Sequence, residues 1–136
     1  MQMKGQFCGL EKPGPCGLVL FGASGDLTKR KIIPALYKLF VLGLLPERFF
    51  LIGSARTPMS DTQFREEMKN STGQFLPEDF REDQWAEFSE LLFYQKIDYS
   101  NADSYTQLDK RLIDLEARFS TKQNRIYYIS TPPLVY

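Results

Sequence analysis

The sequence predicts an α/β fold built on a doubly wound parallel sheet. Short apolar runs alternate with amphipathic helical segments along the chain, which is the pattern of strands joined by helical crossovers. The runs are apolar throughout, as is typical of strands covered on both faces. The first run leads into a two-glycine turn that opens a helix. Because such crossovers are right-handed, we expect an incomplete Rossmann-like sheet of about four strands in the order 3-2-1-4.

The first strand is predicted at about Gly17 to Phe21, after an irregular leader formed by residues 1–16. A helix follows and ends near Gly43, with Pro46 as a stop signal. Its inward stripe consists of Ile33, Leu36, Tyr37, Phe40 and Leu44. Pro34 cannot donate a hydrogen bond to the carbonyl four residues earlier, so the helix either kinks there or restarts with Pro34 near its first turn.

The second strand is predicted at Phe49 to Gly53. After it, Ser60 or Asp61 is expected to cap a helix that carries Phe64 and Met68 on its apolar face. These two side chains are assigned to the core.

Pro77 is predicted to open another helix, whose apolar face is formed by core residues Trp85, Phe88 and Leu92. The third strand is expected at about Leu91 to Lys96. A helix from roughly Asp103 to Phe119 carries the stripe Leu108, Leu112, Leu115 and Phe119. The fourth strand, Arg125 to Thr131, ends the pattern without a following helix, so residues 17–136 are expected to form one domain truncated at its C-terminus.

The composition argues against several classes of partner. Seventeen basic and seventeen acidic residues leave no net charge on the 136-residue chain, which disfavours binding to nucleic acid or to a membrane surface. The apolar stretches are short and no signal peptide is evident, so a cytoplasmic protein is expected. Cys8 and Cys16 fit neither a redox pair nor a zinc site and are expected to be free thiols. The chain contains no histidine, and we predict no metal site and no catalytic residue.

The turn after the first strand is typical of a phosphate-binding loop. Gly22 and Gly25 allow a tight turn and a close backbone approach, while the free N–H groups of the following helix attract an anion. Lys29, Arg30 and Lys31 lie in the first turns of this helix, where the macrodipole disfavours positive charge. A bound polyphosphate would supply the missing negative charge. The alternative is that these three side chains extend into solvent.

Arg56 indicates which dinucleotide the loop would accept. Folds specific for NAD place a carboxylate after the second strand to bind the ribose 2′-hydroxyl, whereas an arginine accommodates a 2′-phosphate. Here Arg56 follows Gly53-Ser-Ala, and the first carboxylate after it is Asp61. The sequence therefore favours NADP, with a solvent-exposed arginine as the alternative. Ligand is expected where the strand order reverses, at the carboxyl ends of strands one and four.

Four ordered segments resemble the N-terminal coenzyme domain of the glucose-6-phosphate dehydrogenase family. They are G-A-S-G-D-L-T-K-R-K-I-I-P-A-L-Y, G-L-L-P-E, I-G-S-A-R and N-R-I-Y-Y-I-S-T-P-P, spread between Leu18 and Tyr136. The resemblance implies an NADP-dependent oxidoreductase of the pentose phosphate pathway that moves hydride from C1 of glucose 6-phosphate to the nicotinamide and releases a lactone. It also implies a homo-oligomeric parent protein.

The resemblance further assigns cofactor-binding residues around the glycine turn. It places the pyrophosphate on a loop and first helical turn that consist of Gly22, Ala23, Ser24, Gly25, Asp26, Leu27, Thr28 and Lys29. Lys31 matches a basic position of the family that could reach phosphate, with a solvated lysine as the alternative. For Asp26 the alternative is a cap on the N–H groups of the helix.

The end of the fourth strand supplies the remaining assigned residues. Tyr128 matches the tyrosine of the family's Y-L-A-L-P-P segment, which reads Y-I-S-T-P-P here; a packing role is its alternative. Pro132 and Pro133 lack N–H donors and would stiffen the strand end beside the cofactor. Asp98 and Tyr99, which leave the third strand, are weaker candidates for the adenine side.

Two later motifs of the family are absent from this sequence. One is an E-K-P-F-G-like segment with its lysine, and the other is an R-I-D-H-Y-L-G-K-like segment whose histidine is implied as the general base. We therefore expect a fragment that binds coenzyme and is inactive alone. The alternative is a stand-alone nucleotide-binding or sensing module without turnover. A short-chain oxidoreductase is disfavoured, because no Tyr-x-x-x-Lys pair falls in a suitable helix.

Overall fold

The computed structural model describes residues 14–129, which contain one four-stranded parallel sheet. The strands are β1 (Cys16–Phe21), β2 (Phe49–Ala55), β3 (Leu92–Lys96) and β4 (Arg125–Ile129). Their order is β3-β2-β1-β4, and each neighbouring pair runs parallel. The predicted fold class and strand order are confirmed. The predicted end of the fourth strand at Thr131 lies outside the described residues.

Helices cover both faces of the sheet. The first helical stretch comprises residues 26–27, a π-helical segment (Thr28–Ile32) and α1 (Ile33–Val41); the others are α2 (Asp61–Phe75), α3 (Glu82–Ser89) and α4 (Ala102–Phe119). Side chains of α1, α2 and α3 join the core cluster on one face, and those of α4 join the cluster on the other. None of the helices between residues 14 and 129 is both long and apolar enough to cross a membrane.

The two central strands supply the middle of both core clusters. Leu18 and Leu51 contact the face covered by α1 to α3, whereas Val19 and Ile52 contact the α4 face. All four side chains are buried, because every second residue of a strand points to the opposite face. The register also sets the last residue of β1, Phe21, beside Ser54 of β2. The chain therefore leaves β1 next to the carboxyl end of β2.

The helical stretch continues through Pro34 by way of a wider turn. The N–H of Ile33 donates to the carbonyl of Thr28, and Pro34 occupies one of the first positions of α1, as in the predicted restart. Thr28 and Ile33 are both fully buried although they are five residues apart. In a regular α-helix the residues three and four positions before Ile33, which are Arg30 and Lys29, would share its buried face. The π turn therefore keeps two cations out of the core.

The start of α2 agrees with its prediction. The Ser60 hydroxyl accepts a hydrogen bond from the N–H of Gln63 at 3.1 Å, and the Gln63 side chain accepts one from the N–H of Ser60 at 2.8 Å. This reciprocal capping box satisfies two backbone donors at the helix start. Phe64 and Met68 are buried, as predicted.

The helix predicted to begin at Pro77 is wrong in its bounds. Residues 77–79 form a turn, and α3 begins only at Glu82. Trp85 and Phe88 are buried as predicted, but Leu92 belongs to β3 and not to the face of the helix. The chain passes almost directly from α3 into a buried strand, and a short apolar run at that point fits either periodicity.

The outer edge of β3 is covered by charged side chains. Arg65 donates from Nε to the carbonyl of Leu92 at 2.8 Å. The Oδ1 of Asp61 accepts the backbone N–H of Tyr94 at 2.8 Å, and Nη1 of Arg111 donates to the Tyr94 carbonyl at 2.6 Å. These side chains satisfy backbone groups that a further strand would otherwise bind.

Candidate functional site

The turn that follows β1 is folded against the end of β2. Gly22 has a φ of 80°, in the left-handed region that favours glycine. The N–H groups of Gly22 and Ala23 both donate to the carbonyl of Ser54, at 2.8 and 3.2 Å. The N–H of Gly25 donates to the carbonyl of Gly22 at 3.0 Å. These three donors are used within the protein and hold the loop in place.

Gly53 allows this close approach, although no role was predicted for Gly53 from the sequence. A Cβ at position 53 would lie 2.7 Å from the Cβ of Ala23 and 3.0 Å from Cζ of Phe64. Real Cβ atoms do not tolerate such contacts, so any side chain here would push the loop away from β2. Its signal in the sequence was a glycine inside an otherwise apolar strand, which often marks a close backbone approach.

The first helical turn presents backbone donors to the carboxyl edge of the sheet. The first hydrogen bond of the α-helical type runs from the N–H of Lys29 to the carbonyl of Gly25, at 3.4 Å. The N–H groups of Asp26 and Leu27 precede it and are suited to an anion. Thr28 is fully buried, and its hydroxyl donates to the carbonyl of Gly22 at 3.5 Å. The side chain of Thr28 therefore supports the turn.

Carboxylates of the protein already accompany two of the three cations in this turn. Lys29 lies 3.3 Å from Glu67 of α2, and Nε of Arg30 lies 3.2 Å from Asp26. The alternative role of Asp26 as a helix cap is not observed, because Asp26 is itself the first helical residue and its carboxylate pairs with Arg30. Lys31 is exposed and forms no ion pair with a residue in 14–129.

Arg56 is exposed and follows the last residue of β2. Its backbone is tied to β3, since the preceding carbonyl, of Ala55, accepts the N–H of Ile97 at 2.8 Å. Asp98 lies at the same edge, and hydrogen bonds from the side chain and the backbone N–H of Ser100 lower the pKa of its carboxyl group, with the charge of Arg56 adding a smaller contribution. Arg56 thus lies near Asp98, at the edge of the sheet where ligand is predicted to bind.

Tyr99, a weaker candidate in the sequence, lies close to the end of β1 and to the glycine turn. Burial raises the pKa of the Tyr99 phenol, and the backbone of Gly22, which faces the hydroxyl, opposes this shift. The hydroxyl is buried and has no well-formed hydrogen bond within the described residues. The ring lies 6.3 Å from that of Phe21. An aromatic residue just after a strand that ends at the predicted edge was the signal in the sequence.

The other assigned residues take different positions. Ser24 is half-buried in the loop, and Leu27 is exposed in the first helical turn. Tyr128 lies within β4 beside Leu20 and packs against the core on the α1 side, which agrees with its alternative packing role. Pro132 and Pro133 lie outside the described residues.

The arrangement suits the binding of an anion more than proton transfer. The N–H groups of the first helical turn and the side chain of Arg56 follow the carboxyl ends of two neighbouring strands, β1 and β2. Within residues 14–129 no group of three or more His, Cys, Asp or Glu side chains could hold a metal ion. Cys16 is a free, buried cysteine at the start of β1, as predicted; Cys8 lies outside the described residues.

Comparison with known proteins gives matches along nearly the whole chain. A family model described as the NAD binding domain of glucose-6-phosphate dehydrogenase matches residues 19–136. The glucose-6-phosphate 1-dehydrogenase of Chlamydia pneumoniae is 44% identical over 119 residues, which are 88% of this chain and 23% of that protein. The enzyme of the same name from Aggregatibacter actinomycetemcomitans is 40% identical over 121 residues, which are 89% and 24% of the two chains.

Solved structures show the same likeness. A glucose-6-phosphate dehydrogenase in complex with its substrate glucose-6-phosphate superposes with a TM-score of 0.78 at 29% identity, over 92% of this chain and 26% of that one. The glucose-6-phosphate 1-dehydrogenase of Mycobacterium avium gives a TM-score of 0.76 at 22% identity, over 93% of this chain and 25% of that one; this match bears on the fold alone. The chain spans about a quarter of the length of the relatives it matches.

Proposed function

The chain belongs to the glucose-6-phosphate dehydrogenase family, and from this premise we propose that it forms the part of such an enzyme that binds the coenzyme NADP. The proposed site is the loop after β1, the first turn of the helix and Arg56. The same resemblance extends the proposal to a cytoplasmic, homo-oligomeric enzyme of the pentose phosphate pathway.

The loop geometry fits the pyrophosphate of a dinucleotide. A Cβ at Gly25 would come within 3.3 Å of the carbonyl oxygen of Gly22, so the glycine keeps the inside of the turn open. The N–H groups of Asp26 and Leu27 lie at the start of the helix, where its dipole attracts negative charge. Lys29 is half-buried, and its ammonium is held 3.3 Å from Glu67 of α2.

The position of Arg56 carries the choice of NADP. The residue follows β2, where dinucleotide folds bind the adenine ribose, and its guanidinium can bind a 2′-phosphate through two parallel hydrogen bonds. Asp98, a carboxylate at the same edge, is bonded to both the N–H and the hydroxyl of Ser100 at 3.0 and 2.7 Å. Both bonds end on Oδ1, and Asp98 follows β3 and not β2, where NAD-specific folds place their acidic residue.

The reaction proposed for the longer enzyme is the oxidation of glucose 6-phosphate to 6-phosphogluconolactone. Bound NADP would accept the hydride from C1 of the sugar. The 136-residue chain holds no histidine, and in the family a histidine is implied as the base that takes the proton from the C1 hydroxyl. We therefore propose that this chain positions the coenzyme and does not complete the reaction by itself.

Calorimetric titration with NADP and with NAD tests the proposal. Wild-type protein should bind NADP more tightly, and Arg56→Ala should lose about ten- to one-hundredfold in NADP affinity, because a charge-assisted contact contributes roughly 1.5 to 3 kcal/mol. Binding of NAD should change little. Arg48→Ala is the matched control, because Arg48 is also exposed but precedes β2, at the opposite edge of the sheet.

A wild-type preference for NAD, or an Arg56→Ala variant that keeps its preference for NADP, would overturn the assignment of Arg56. The second candidate, a nucleotide-binding module without turnover, is favoured by the missing histidine. It becomes the better description if residues that follow Tyr136 in the parent protein lack the lysine and histidine motifs of the family.

A further inference from the structure

Tyr94 contacts the loop that carries Arg56, residues 56–60, in a way that packing in the core does not require. The side chain is 2% exposed, and its ring packs 5.3 Å from that of Phe64. Its hydroxyl nevertheless reaches out of β3 and donates a hydrogen bond to the carbonyl of Thr57, at 2.5 Å. A phenylalanine would fill the same space, so the hydroxyl itself calls for an explanation.

The hydroxyl fixes the peptide unit between Thr57 and Pro58, one residue beyond Arg56. On the side before Arg56, the carbonyl of Ala55 accepts the N–H of Ile97 at 2.8 Å. On the side after it, the carbonyl of Thr57 accepts the hydroxyl of Tyr94. Both partners belong to β3 or to the residue directly after it. The two-residue segment Arg56–Thr57 is therefore held at both ends, although the side chain of Arg56 remains exposed to solvent.

The backbone of Tyr94 anchors the other end of the same loop. Its N–H donates to Oδ1 of Asp61 at 2.8 Å, and Asp61 is the first residue of α2. Arg111 of α4 binds Oδ2 of Asp61 and the carbonyl of Tyr94, both at 2.6 Å. One residue of β3 thus holds the segment from Arg56 to Asp61 near its beginning and at its end.

A fixed loop matters because Arg56 has a long, mobile side chain. A guanidinium on a mobile backbone loses more conformational freedom when it binds phosphate, and affinity falls accordingly. A backbone already held in the bound position reduces this cost. Burial raises the pKa of Tyr94 to about 12, so its hydroxyl remains a proton donor throughout the physiological range.

We propose that Tyr94 is a positioning residue for Arg56: its hydroxyl holds the Thr57 carbonyl and thereby sets how strongly the site prefers NADP over NAD. The inference rests on the proposed function of Arg56. It adds that a residue that does not touch the nucleotide determines selectivity through the backbone of the loop.

The test compares Tyr94→Phe with Tyr37→Phe. Tyr37 is also fully buried, and its hydroxyl also binds the backbone: it donates to the carbonyl of Arg81 and accepts the N–H of Arg81, far along the chain from the loop. Each variant loses one buried hydroxyl and keeps its ring. Titration with NADP and NAD gives the affinity ratio, and hydrogen exchange of the amides in residues 56–60, without nucleotide, reports the mobility of the loop.

We expect Tyr94→Phe to lower the ratio of NADP to NAD affinity about three- to tenfold, as the loss of one hydrogen bond implies, and to speed exchange in the loop. Tyr37→Phe should leave both unchanged. A Tyr94→Phe protein that loses affinity for both nucleotides equally, or one with faster exchange and an unchanged affinity ratio, would overturn the proposal.

If Tyr94→Phe does not fold, Thr57→Gly loosens the loop without disturbing the core, and its ratio of NADP to NAD affinity then tests the proposal. A wild-type protein that does not prefer NADP refutes the function of Arg56. If Tyr94→Phe and Thr57→Gly both keep the wild-type preference for NADP, only the role of Tyr94 is refuted.

Discussion

The guanidinium of Arg125 and the carboxylate of Glu116 form a pair of hydrogen bonds across the amino end of the sheet. Nε of Arg125 donates to Oε2 of Glu116 at 2.7 Å, and Nη2 donates to Oε1 at 3.0 Å. The Glu116 side chain is 5% exposed and that of Arg125 16%. A second carboxylate, Asp109, binds Nη1 at 2.8 Å but is 56% exposed. One arginine at the start of β4 is thus held to α4 by a buried and an exposed partner.

Substitution of these two partners should have unequal effects. Glu116→Ala leaves a largely buried guanidinium with only part of its partners, so the free energy of unfolding should fall by about 3 kcal/mol. Asp109→Ala removes an exposed partner, and the loss should be about 0.5 kcal/mol. Urea unfolding of both variants provides the measurement. Equal losses would show that burial does not govern the strength of this network.

Gly53→Ala should destabilise the fold and move the glycine loop. The added Cβ would overlap Ala23 and Phe64, and such overpacking costs about 1 to 3 kcal/mol. Gly73→Ala is the control with the opposite expected sign. Gly73 lies inside α2, the nearest atoms to an added Cβ are 3.9 Å away, and an alanine there should stabilise the helix by about 0.5 to 1 kcal/mol. Thermal unfolding distinguishes the two; a Gly53→Ala variant as stable as wild type would contradict the close approach.

The contribution of Tyr94 to stability should fall at high pH. Burial, with smaller contributions from Tyr99 and Glu67, raises the pKa of Tyr94 from its ordinary value of 10.0 to about 12. The unfolded chain therefore releases this proton before the folded chain does. The contribution is fully present below pH 10 and is lost as the pH rises from 10 toward 12. Between pH 8 and pH 11, the difference in unfolding free energy between wild type and Tyr94→Phe should shrink by about 1.4 kcal/mol. A difference that does not vary with pH would mean that Tyr94 titrates normally.

The chain alone should show no dehydrogenase activity. It contains no histidine, and removal of the general base eliminates the proton transfer that accompanies hydride release. Mixing the protein with glucose 6-phosphate and NADP and following the absorbance of reduced nicotinamide measures this. Sustained turnover in proportion to the amount of protein would show that another residue acts as the base.

Much of the fold could be predicted because it depends on local patterns. Apolar runs that alternate with amphipathic helical segments predicted the four strands and their order. A capping residue at Ser60 or Asp61 predicted the start of α2. The predicted helix from Pro77 was wrong in its bounds, because the spacing of apolar residues does not show where α3 ends and a buried strand begins. The π turn was also missed. The five-residue step from Thr28 to Ile33 becomes meaningful only when both side chains are known to be buried.

The candidate site could be predicted only where the order of elements along the chain determines their position. The carboxyl ends of parallel strands share one edge, so the Gly22 turn and Arg56 could be assigned to it from the sequence. Gly53 and Tyr94 could not, because their importance arises from contacts between elements distant in the chain. The overlap at Gly53 depends on how the loop folds back on β2, and the bond from Tyr94 to Thr57 depends on the register of β2 and β3.

The side chains of Arg65, Asp61 and Arg111 along β3 also bear on self-assembly. Strands add to a sheet only where backbone N–H and C=O groups are free, and the carbonyl of Leu92 and both backbone groups of Tyr94 are already bound. A neighbouring molecule that adds a strand to β3 would have to break two charge-assisted bonds to carbonyls and one to a carboxylate before forming its own. In the part of the chain that the structure describes, the other outer strand is β4, and its exposed residues Tyr127 and Ile129 offer apolar contacts. Growth of intermolecular sheets from partly folded chains should therefore begin at β4.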